Sequence, residues 1–388
     1  MSIEGASGPI VVDIGSSTVR AGFAGASKPS LIASSVVGTR EGDLAFPINY
    51  DIPRENMEIH NVGNFSHPGA SINDEYLCGM LGAVLNNEHT GTRPSSDGFE
   101  LSECNPVLIS EPSVQNNVYR QKVIQLLFEK MGARGAFVCK RSVLSAFSLG
   151  KTNAVVVSVG AQVSSISCVA GGHSYPHLTT NWNVAGNAID TEILARLSTH
   201  SSVNFLPKSH QNTTSSFKKF AESMYISKMK EEICRVSENR DLRVHVDNAA
   251  YQLPDGTRID CSRISQSVAA DILFSSSLKK QSLSTMMKEV VDKCKTSDEN
   301  LAQTLLQSVV VCGGTSAMTG FVERAQNEFS ISSQSPVKCY AGITAADKQH
   351  SAWIGGSIVA SLGNFNTLWI TKREYEEHGV GIVGKKCP

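Results

Sequence analysis

The chain has 388 residues, with 35 Lys and Arg against 36 Asp and Glu and a formal net charge of −1. This balance gives no argument for direct nucleic-acid binding, because neutralising phosphates needs clustered positive charge. The length predicts two lobes of roughly 150–200 residues each, since single hydrophobic cores stop growing beyond about 250–300 residues. No apolar run approaches the length of a membrane span, so no membrane partner is expected.

The 10 cysteines occur singly, with no Cys-x-x-Cys pair, and this spacing suggests neither a zinc cage nor a thioredoxin motif. Several of them, such as Cys168 and Cys312, lie in apolar runs and are predicted to be small core residues. No secretory signal is visible, so we expect a reduced intracellular protein. The glycosylation patterns at Asn64 and Asn212 are accordingly interpreted as chance matches.

The first predicted element is a β-hairpin. An apolar β-branched run from Pro9 to Ile14 is interrupted only by Asp13, and a Gly15-Ser16-Ser17 turn follows it. Val19, Ala21 and Phe23 then alternate with other residues, which predicts a second strand. An acid in an apolar strand is costly to bury unless a partner pairs with it.

Next, the run 107–109 predicts a short buried strand, and the apolar spacing over 117–131 predicts an amphipathic helix. A shorter helix is predicted over 143–149, with Gly150 in the position that ends helices. Strand, helix and hairpin in alternation favour an α/β lobe with a mixed sheet. Polar, irregular stretches at 38–74, 86–104 and 198–217 predict surface loops or insertions.

A second hairpin pattern follows, with a strand over 155–160 and a return strand over 163–168. Two such hairpins in one chain predict a duplicated architecture, with one hairpin in each lobe. Further along, helices are predicted at 219–236 and 357–368, and 309–314 predicts a strand that ends in a glycine turn.

Several of these segments match one family. The stretches 11–17 and 20–25 resemble the first phosphate loop of actin, and 311–315 resembles its adenosine loop. The run 353–362, which begins Trp-Ile-Gly-Gly-Ser, is similar to actin's C-terminal signature, and 251–256 is a further match. The resemblance covers most of the chain and is weakest at 38–104 and 196–217.

Within the actin superfamily, the segments Pro53–Glu58, Phe137–Lys140 and Lys386–Pro388 are similar to the fourth class of nuclear actin-related proteins. The resemblance implies an α/β, actin-like two-lobed fold, in which duplicated ribonuclease-H-like domains enclose a central nucleotide cleft. It also implies four subdomains: 1–34, 69–147 and 351–388 form the first, 35–68 the second, 148–184 and 277–350 the third, and 185–276 the fourth.

Glycine turns after strands let backbone N–H groups approach phosphate oxygens. The resemblance assigns Arg20 as a permanently charged phosphate contact and Asp13 as a metal ligand acting through water. From the residues alone, Lys230 and Glu231 would be an ordinary exposed helix pair. The full implied nucleotide-binding set is Asp13, Gly15, Ser16, Ser17, Arg20, Gly160, Gly186, Lys230, Glu231, Gly313, Gly314 and Thr315.

The departures from the family pattern concern hydrolysis. Ser158 and Ala161 stand where the second phosphate loop of the family carries acids, and Arg141 stands where it has the glutamine that orients the attacking water. A guanidinium group cannot accept a hydrogen bond, so it cannot replace that glutamine. Gln349 and Met318 replace a basic and an aromatic adenosine contact. We therefore expect no hydrolysis; the cleft either holds ATP with a divalent cation or is empty.

The resemblance further implies a partner-binding groove lined by Phe147, Gly150, Thr152, Ile358, Leu362, Phe365 and Leu368. Apolar residues at this spacing suit an amphipathic helix, although packing in the core is the alternative for some of them. The implied partners are nuclear actin, a helical segment of the remodeller ATPase, other remodelling or acetyltransferase subunits, and histones.

The function expected from this class is that of a nuclear, non-polymerising scaffold subunit of chromatin-remodelling and histone acetyltransferase complexes. Filament formation is not expected, because 38–68 does not resemble actin's flexible loop and no apolar plug is found near 262–280. Two alternatives stay open at this point: an ATP-hydrolysing, filament-forming actin, and a sugar-kinase-like enzyme with a catalytic acid in the cleft wall.

Overall fold

The computed structural model describes residues 8–63, 72–85, 105–114, 116–198, 205–239, 250–261, 268–275 and 281–387. The strands are β1 Ile10–Ile14, β2 Thr18–Phe23, β3 Leu31–Ser34, β4 Val36–Arg40, β5 Asp43–Ala45, β6 Glu58–Asn61, β7 Val107–Glu111, β8 Gly135–Lys140, β9 Ala154–Val159, β10 Ser164–Ala170, β11 His173–Trp182, β12 Ala250–Gln252, β13 Arg258–Asp260, β14 Val309–Cys312, β15 Cys339–Tyr340 and β16 Ile370–Thr371.

The α-helices are α1 Asp74–Leu85, α2 Asn117–Glu129, α3 Arg141–Phe147, α4 Gly186–Ser198, α5 Ser215–Ile233, α6 Val268–Leu273, α7 Leu283–Ser297, α8 Glu299–Leu306, α9 Phe321–Ser333, α10 Ala345–Gln349, α11 Ser351–Ser361, α12 Lys372–His378 and α13 Val383–Lys386. Short 3₁₀ helices occupy Lys208–His210, Gly314–Ala317, Gly363–Thr367 and Gly379–Ile382. No helix among the described residues is both long enough and apolar enough to cross a bilayer.

Two mixed sheets are built on the same plan. In the six-stranded sheet, of order β16-β8-β7-β1-β2-β3, the antiparallel hairpin β1/β2 is extended by β7, which runs parallel to β1. In the five-stranded sheet, of order β11-β10-β9-β14-β15, the antiparallel hairpin β9/β10 is extended by β14, which runs parallel to β9. The repeated hairpin expected from the sequence is therefore confirmed, and so is the α/β actin-like fold.

Each sheet has its own hydrophobic core. Strands β1, β7 and β14 are buried along their whole length, and β9 is buried except at Ser158. Such continuous apolar strands are typical of sheets covered on both faces by helices. A third, smaller cluster includes Val143 of α3 and Val156 of β9, and it joins α3 to the second sheet.

The Trp-Ile-Gly-Gly run marks a close crossing between helices. A Cβ atom on Gly355 would lie 1.7 Å from the Leu144 carbonyl oxygen of α3, and one on Gly356 would lie 2.7 Å from Val11 Cγ1. Trp353 is fully buried and its indole N–H donates to the Val11 carbonyl oxygen at 3.0 Å. The absence of side chains at both glycines thus lets α11 contact α3 and β1 directly.

The stretch 38–74 is expected to be irregular, as a surface loop or an insertion, and the expectation of irregular structure is wrong over much of its length. Strands β4, β5 and β6 form an antiparallel three-stranded sheet, and α1 begins at Asp74. The strands have only three to five residues each, and polar residues such as Glu58 and Asn61 are exposed. Short edge-like strands of this kind carry too little apolar alternation to be recognised from sequence.

The same sheet is attached to α5. The Thr214 hydroxyl donates to the Met57 carbonyl oxygen at 2.5 Å, and the Ile59 amide donates to Ser216 Oγ at 2.9 Å. The Tyr225 hydroxyl donates to Asp51 Oδ1 at 3.0 Å. Helix α5 begins at Ser215, within the predicted loop 198–217, because Thr214 caps it by accepting from the Phe217 amide at 3.2 Å.

Other boundaries shift by a few residues. The helix predicted over 143–149 begins at Arg141, and the one predicted over 357–368 is α11 followed by a separate 3₁₀ turn. The predicted loop 86–104 and the glycosylation pattern at Asn64 lie outside the described residues. The described cysteines, such as Cys168 and Cys312, are free thiols, and these two are buried as expected.

We expect Gly355→Ala to destabilise the fold by about 1–3 kcal/mol, because the added methyl group overlaps the Leu144 carbonyl group. This sign is opposite to the usual gain when alanine replaces a helical glycine. Thermal unfolding followed by circular dichroism measures it. Gly363→Ala is the matched control, since nothing lies within 4 Å of its Cβ position; equal unfolding midpoints for the two variants would contradict the close crossing.

Candidate functional site

A cleft of about 410 Å³ opens where the two hairpin turns and the turn after β14 meet, and this volume is within the usual range for small-molecule sites. Every residue of the nucleotide-binding set expected from the resemblance lines this cleft. They are Asp13, Gly15, Ser16, Ser17, Arg20, Gly160, Gly186, Lys230, Glu231, Gly313, Gly314 and Thr315.

The two hairpin turns have the same local geometry. The Gly15 amide donates to the Thr18 carbonyl oxygen at 2.9 Å, and the Gly160 amide donates to the Val163 carbonyl oxygen at 3.1 Å. A Cβ atom on Gly15 would lie 2.9 Å from the Thr18 oxygen, so a larger residue would disturb the turn. Glycine is therefore required here by the tightness of the turn itself.

The turn after β14 and the start of α4 both bond to the second hairpin turn. The Gly160 carbonyl oxygen accepts from Thr315 Oγ1 at 2.8 Å and from the Gly186 amide at 3.1 Å. Gly313 has φ +97°, and its Cβ would lie 2.4 Å from the Val159 oxygen. These contacts place the N-terminal end of α4 at the cleft, where the positive end of the helix dipole favours an anion.

Asp13 is the central charged residue of the cleft. Its Oδ2 accepts from Arg20 Nη1 at 3.1 Å, and its Oδ1 accepts from Ser110 Oγ at 2.5 Å and from Arg141 Nε at 2.9 Å. Burial raises the pKa of Asp13, but the charges of Arg141 and Arg20 and these hydrogen bonds outweigh it and hold the pKa below its usual range. The buried carboxylate is therefore ionised and fully paired.

Arg141 is held in place as firmly as Asp13. It begins α3, and its Nη2 donates to the Ile14 carbonyl oxygen. The residue that replaces the family's glutamine is thus an ordered cation beside Asp13, and not only a missing hydrogen-bond acceptor. Its pairing with Asp13 joins residues 128 positions apart, which no local pattern indicates.

His350 was missed by sequence reasoning and completes the charged cluster. Arg20 Nε donates to His350 Nδ1 at 2.7 Å, so Nδ1 is an acceptor and the ring is neutral. Burial and the Arg20 charge lower the pKa of His350 to about 4. The only sequence signal for this cluster is the spacing of Asp13 and Arg20, which are cross-strand partners in the β1/β2 register.

Lys230 and Glu231 have different environments. Lys230 is 6% exposed, donates to the Gly186 carbonyl oxygen at 3.1 Å and pairs with Asp190 Oδ1 at 2.7 Å. The interpretation of both residues as an exposed helix pair is therefore wrong for Lys230. Glu231 is exposed and pairs with Lys228 at 3.0 Å.

The cleft does not fit a metal held by Asp13. Both oxygens of that carboxylate accept hydrogen bonds from cationic groups, and Ser158 and Ala161 line the cleft without supplying a carboxylate. Among the described residues, no group of three His, Cys, Asp or Glu side chains is placed to hold a metal ion. The lining has four cationic side chains against two acidic ones, which favours an anion. These four are Arg20, Arg141, Lys230 and Arg235.

A family model described as Actin matches residues 5–388. The chain belongs to the actin family. This confirms the resemblance drawn from the glycine turns and the Trp-Ile-Gly-Gly run, and actin-family folds generally bind nucleotides.

Similar family members include a protein named actin-related protein 4 from Arabidopsis thaliana, with 26% identity over 98% of both chains. A protein of the same name from Oryza sativa subsp. indica is 28% identical over 98% of both chains. Actin-like protein 7B from Rattus norvegicus is 28% identical over 97% of this chain and 88% of its own length. The expected similarity to the actin-related protein 4 class is thus confirmed.

The residues of the expected groove lie near the contact between α3 and α11. Ile358, Leu362 and Leu368 are 42%, 50% and 46% exposed, which is unusual for large apolar side chains. Phe147 is half-buried and lies against Gly172, whose amide donates to the Thr152 carbonyl oxygen at 3.0 Å.

Two residues of the expected groove, Phe365 and Gly150, present no exposed apolar side chain. Phe365 is 5% exposed and packs edge-on against Phe137 and Trp369, with ring centroids 5.0 Å away in both cases. Its expected role as a groove contact is therefore wrong, because its ring is part of the hydrophobic core of the six-stranded sheet. Gly150 is exposed and has φ +65°, which suits its place after α3.

The depressed pKa of His350 predicts a pH dependence of stability. The unfolded side chain protonates near pH 6.5 and the folded one near pH 4, so the unfolded state binds more protons between these values. The free energy of unfolding should therefore fall as pH decreases through this interval. His350→Asn keeps an acceptor for Arg20 but does not titrate, so its urea-unfolding free energy should fall less steeply from pH 6.5 to about 4.

His378→Asn, an exposed position on α12, is the control and should retain the parent slope. Identical slopes for the parent and His350→Asn would contradict the burial of a neutral His350 beside Arg20.

Proposed function

We propose that this chain is a non-hydrolysing, non-polymerising actin-related scaffold subunit of nuclear chromatin-remodelling and histone acetyltransferase complexes. Its cleft holds a nucleotide as part of the structure. The observation that carries the proposal is the pairing of Arg141 with Asp13 in the cleft, at 2.9 Å. Support for the class comes from the similarity to proteins named actin-related protein 4.

Hydrolysis needs an attacking water that is oriented by a hydrogen-bond acceptor. Arg141 cannot accept, and its Nε and Nη2 are already bound to Asp13 and to the Ile14 carbonyl oxygen. Asp13 also cannot serve as a base, because its lowered pKa and two cationic partners make it a weak proton acceptor. The neighbouring Ser158 and Ala161 supply no carboxylate to replace it.

We expect no phosphate release above the buffer blank when the purified chain is incubated with ATP and Mg²⁺, and no sedimenting polymer in actin-polymerising salt. No phosphate release is expected because Arg141 cannot accept a hydrogen bond from water and because Ser158 and Ala161 supply no metal-side carboxylate. No polymer is expected because 38–68 does not resemble actin's flexible loop. Actin measured in parallel provides the positive control for both assays. Turnover or polymer from this chain would instead favour the alternative of a divergent, ATP-hydrolysing, filament-forming actin.

The exposed apolar groove supports the scaffold role. Ile358 and Leu362 are four residues apart on α11 and its C-terminal cap, so their side chains share one face. Leu368 follows the 3₁₀ turn after α11 and adds a third half-exposed apolar side chain. An amphipathic helix presents apolar side chains at the same spacing, so a helical segment of the remodeller ATPase suits this groove. Nuclear actin, other remodelling or acetyltransferase subunits, and histones are the further partners of the proposed class.

The double variant Leu362→Asp and Leu368→Asp should weaken binding of the ATPase helical segment by at least about tenfold, because two charges would be desolvated on binding. Calorimetric titration with that segment measures the affinity, and co-purification with actin gives a second readout. Ile343→Asp is the matched control: Ile343 is 96% exposed but is not part of the groove. Unchanged affinity in the double variant, with an unchanged unfolding midpoint, would count against the groove.

A further inference from the structure

The acidic side chains of the cleft are already paired. Asp13 is bound by Arg20, Arg141 and Ser110, and Glu231 pairs with Lys228 at its exposed position. A divalent magnesium ion takes six oxygen ligands in a near-octahedral arrangement, and one or two carboxylates usually supply its protein contacts. The described part of the cleft offers no free carboxylate for this purpose.

The two guanidinium groups retain donors for a ligand. Each guanidinium group has five N–H donors. Arg141 uses Nε and Nη2, and Arg20 uses Nε and Nη1, so Arg141 Nη1 and Arg20 Nη2 donate to no residue that the structure describes. Both side chains line the cleft, with 18% and 12% of their surface exposed. The remaining donors are thus available to an anion in the cleft.

We propose that the cleft takes a nucleoside di- or triphosphate without a divalent cation, and that the Arg141 guanidinium supplies the positive charge a cation would supply. This rests on the nucleotide occupancy proposed above. Guanidinium groups bind phosphate oxygens through paired, charge-assisted hydrogen bonds. The glycine turns add backbone N–H groups, and these need no metal to contact phosphate.

The charge balance favours the metal-free nucleotide over its magnesium complex. A cation beside Asp13 would also lie beside Arg141 and Arg20, whose nitrogens are 2.9 and 3.1 Å from the carboxylate oxygens. Like charges this close repel strongly in a partly buried site. Magnesium also neutralises part of the phosphate charge that the four cationic side chains attract. Removing magnesium should therefore leave affinity unchanged or increase it.

The test is a titration of the full chain with ATP and with ADP, in EDTA and in excess Mg²⁺, with the unfolding midpoint as a second readout of binding. The parent chain should bind equally well or more tightly in EDTA. Arg141→Gln should lose about tenfold in affinity in EDTA, because a neutral amide replaces a charged donor. Mg²⁺ should then strengthen its binding, because Asp13 retains only Arg20 as a cationic partner.

Arg235→Gln is the matched control for the loss of one positive charge. Arg235 lines the cleft, but its Nη1 donates to the Cys234 carbonyl oxygen and not to Asp13. This variant should lower the affinity by the same factor in both buffers, without creating a dependence on Mg²⁺.

Three outcomes would overturn the inference. If the parent binds at least about tenfold more tightly in Mg²⁺ than in EDTA, the cleft uses a metal although it still binds nucleotide. If Arg141→Gln binds as the parent does in EDTA, Arg141 is not the phosphate contact. If neither nucleotide binds in either buffer, the occupancy in the proposed function also fails, whereas the groove titration tests the scaffold role separately.

Discussion

The ionised carboxylate of Asp13, at 4% exposure near the end of a buried strand, is tolerated only because cationic and hydroxyl donors reach it from several elements. Arg20 comes from the neighbouring strand, Ser110 from the parallel strand β7, and Arg141 from the start of α3. The cluster therefore fixes the hairpin turn, the adjacent strand and a helix around one charge. Replacing Arg20 or Arg141 by a neutral residue would leave the buried Asp13 carboxylate partly unpaired. Such a change usually costs more stability than replacing the whole ion pair by apolar residues.

The same pairing decides what the cleft can do. In one hairpin, the register places Asp13 opposite Arg20, and in the other it places Ser158 opposite Ser165. The two hairpins thus have the same strand pairing, but only the β1/β2 hairpin carries a charged pair at this position. The resulting excess of cationic side chains favours phosphate groups and disfavours a metal, and Arg141 cannot act as the acceptor that orients water. The proposal of nucleotide binding without turnover rests on the chemistry of these side chains.

The close helix crossing at Gly355 connects this cluster to the exposed groove. Helix α3 begins with Arg141 in the cleft and ends with Phe147 beside the groove, and α11 crosses it through backbone contact at Leu144. His350, which accepts from Arg20, directly precedes α11, and Leu362 caps its other end. Two helices therefore span the distance between the cleft and the surface proposed for partner binding, with little room for either to move independently.

The sequence by itself determined the two hairpins, the α/β class and the residues that line the cleft, because strand alternation, glycine turns and the Trp-Ile-Gly-Gly run are local or family-specific patterns. Three features were decided only by the tertiary structure. Lys230 is buried because Asp190 and the start of α4 surround it. Phe365 belongs to the core because Phe137 and Trp369 enclose it. The short strands β4 to β6 form because they pair with one another and pack on α5. Each depends on contacts between segments distant in sequence, and the Arg141–Asp13 pair is such a contact across 128 positions.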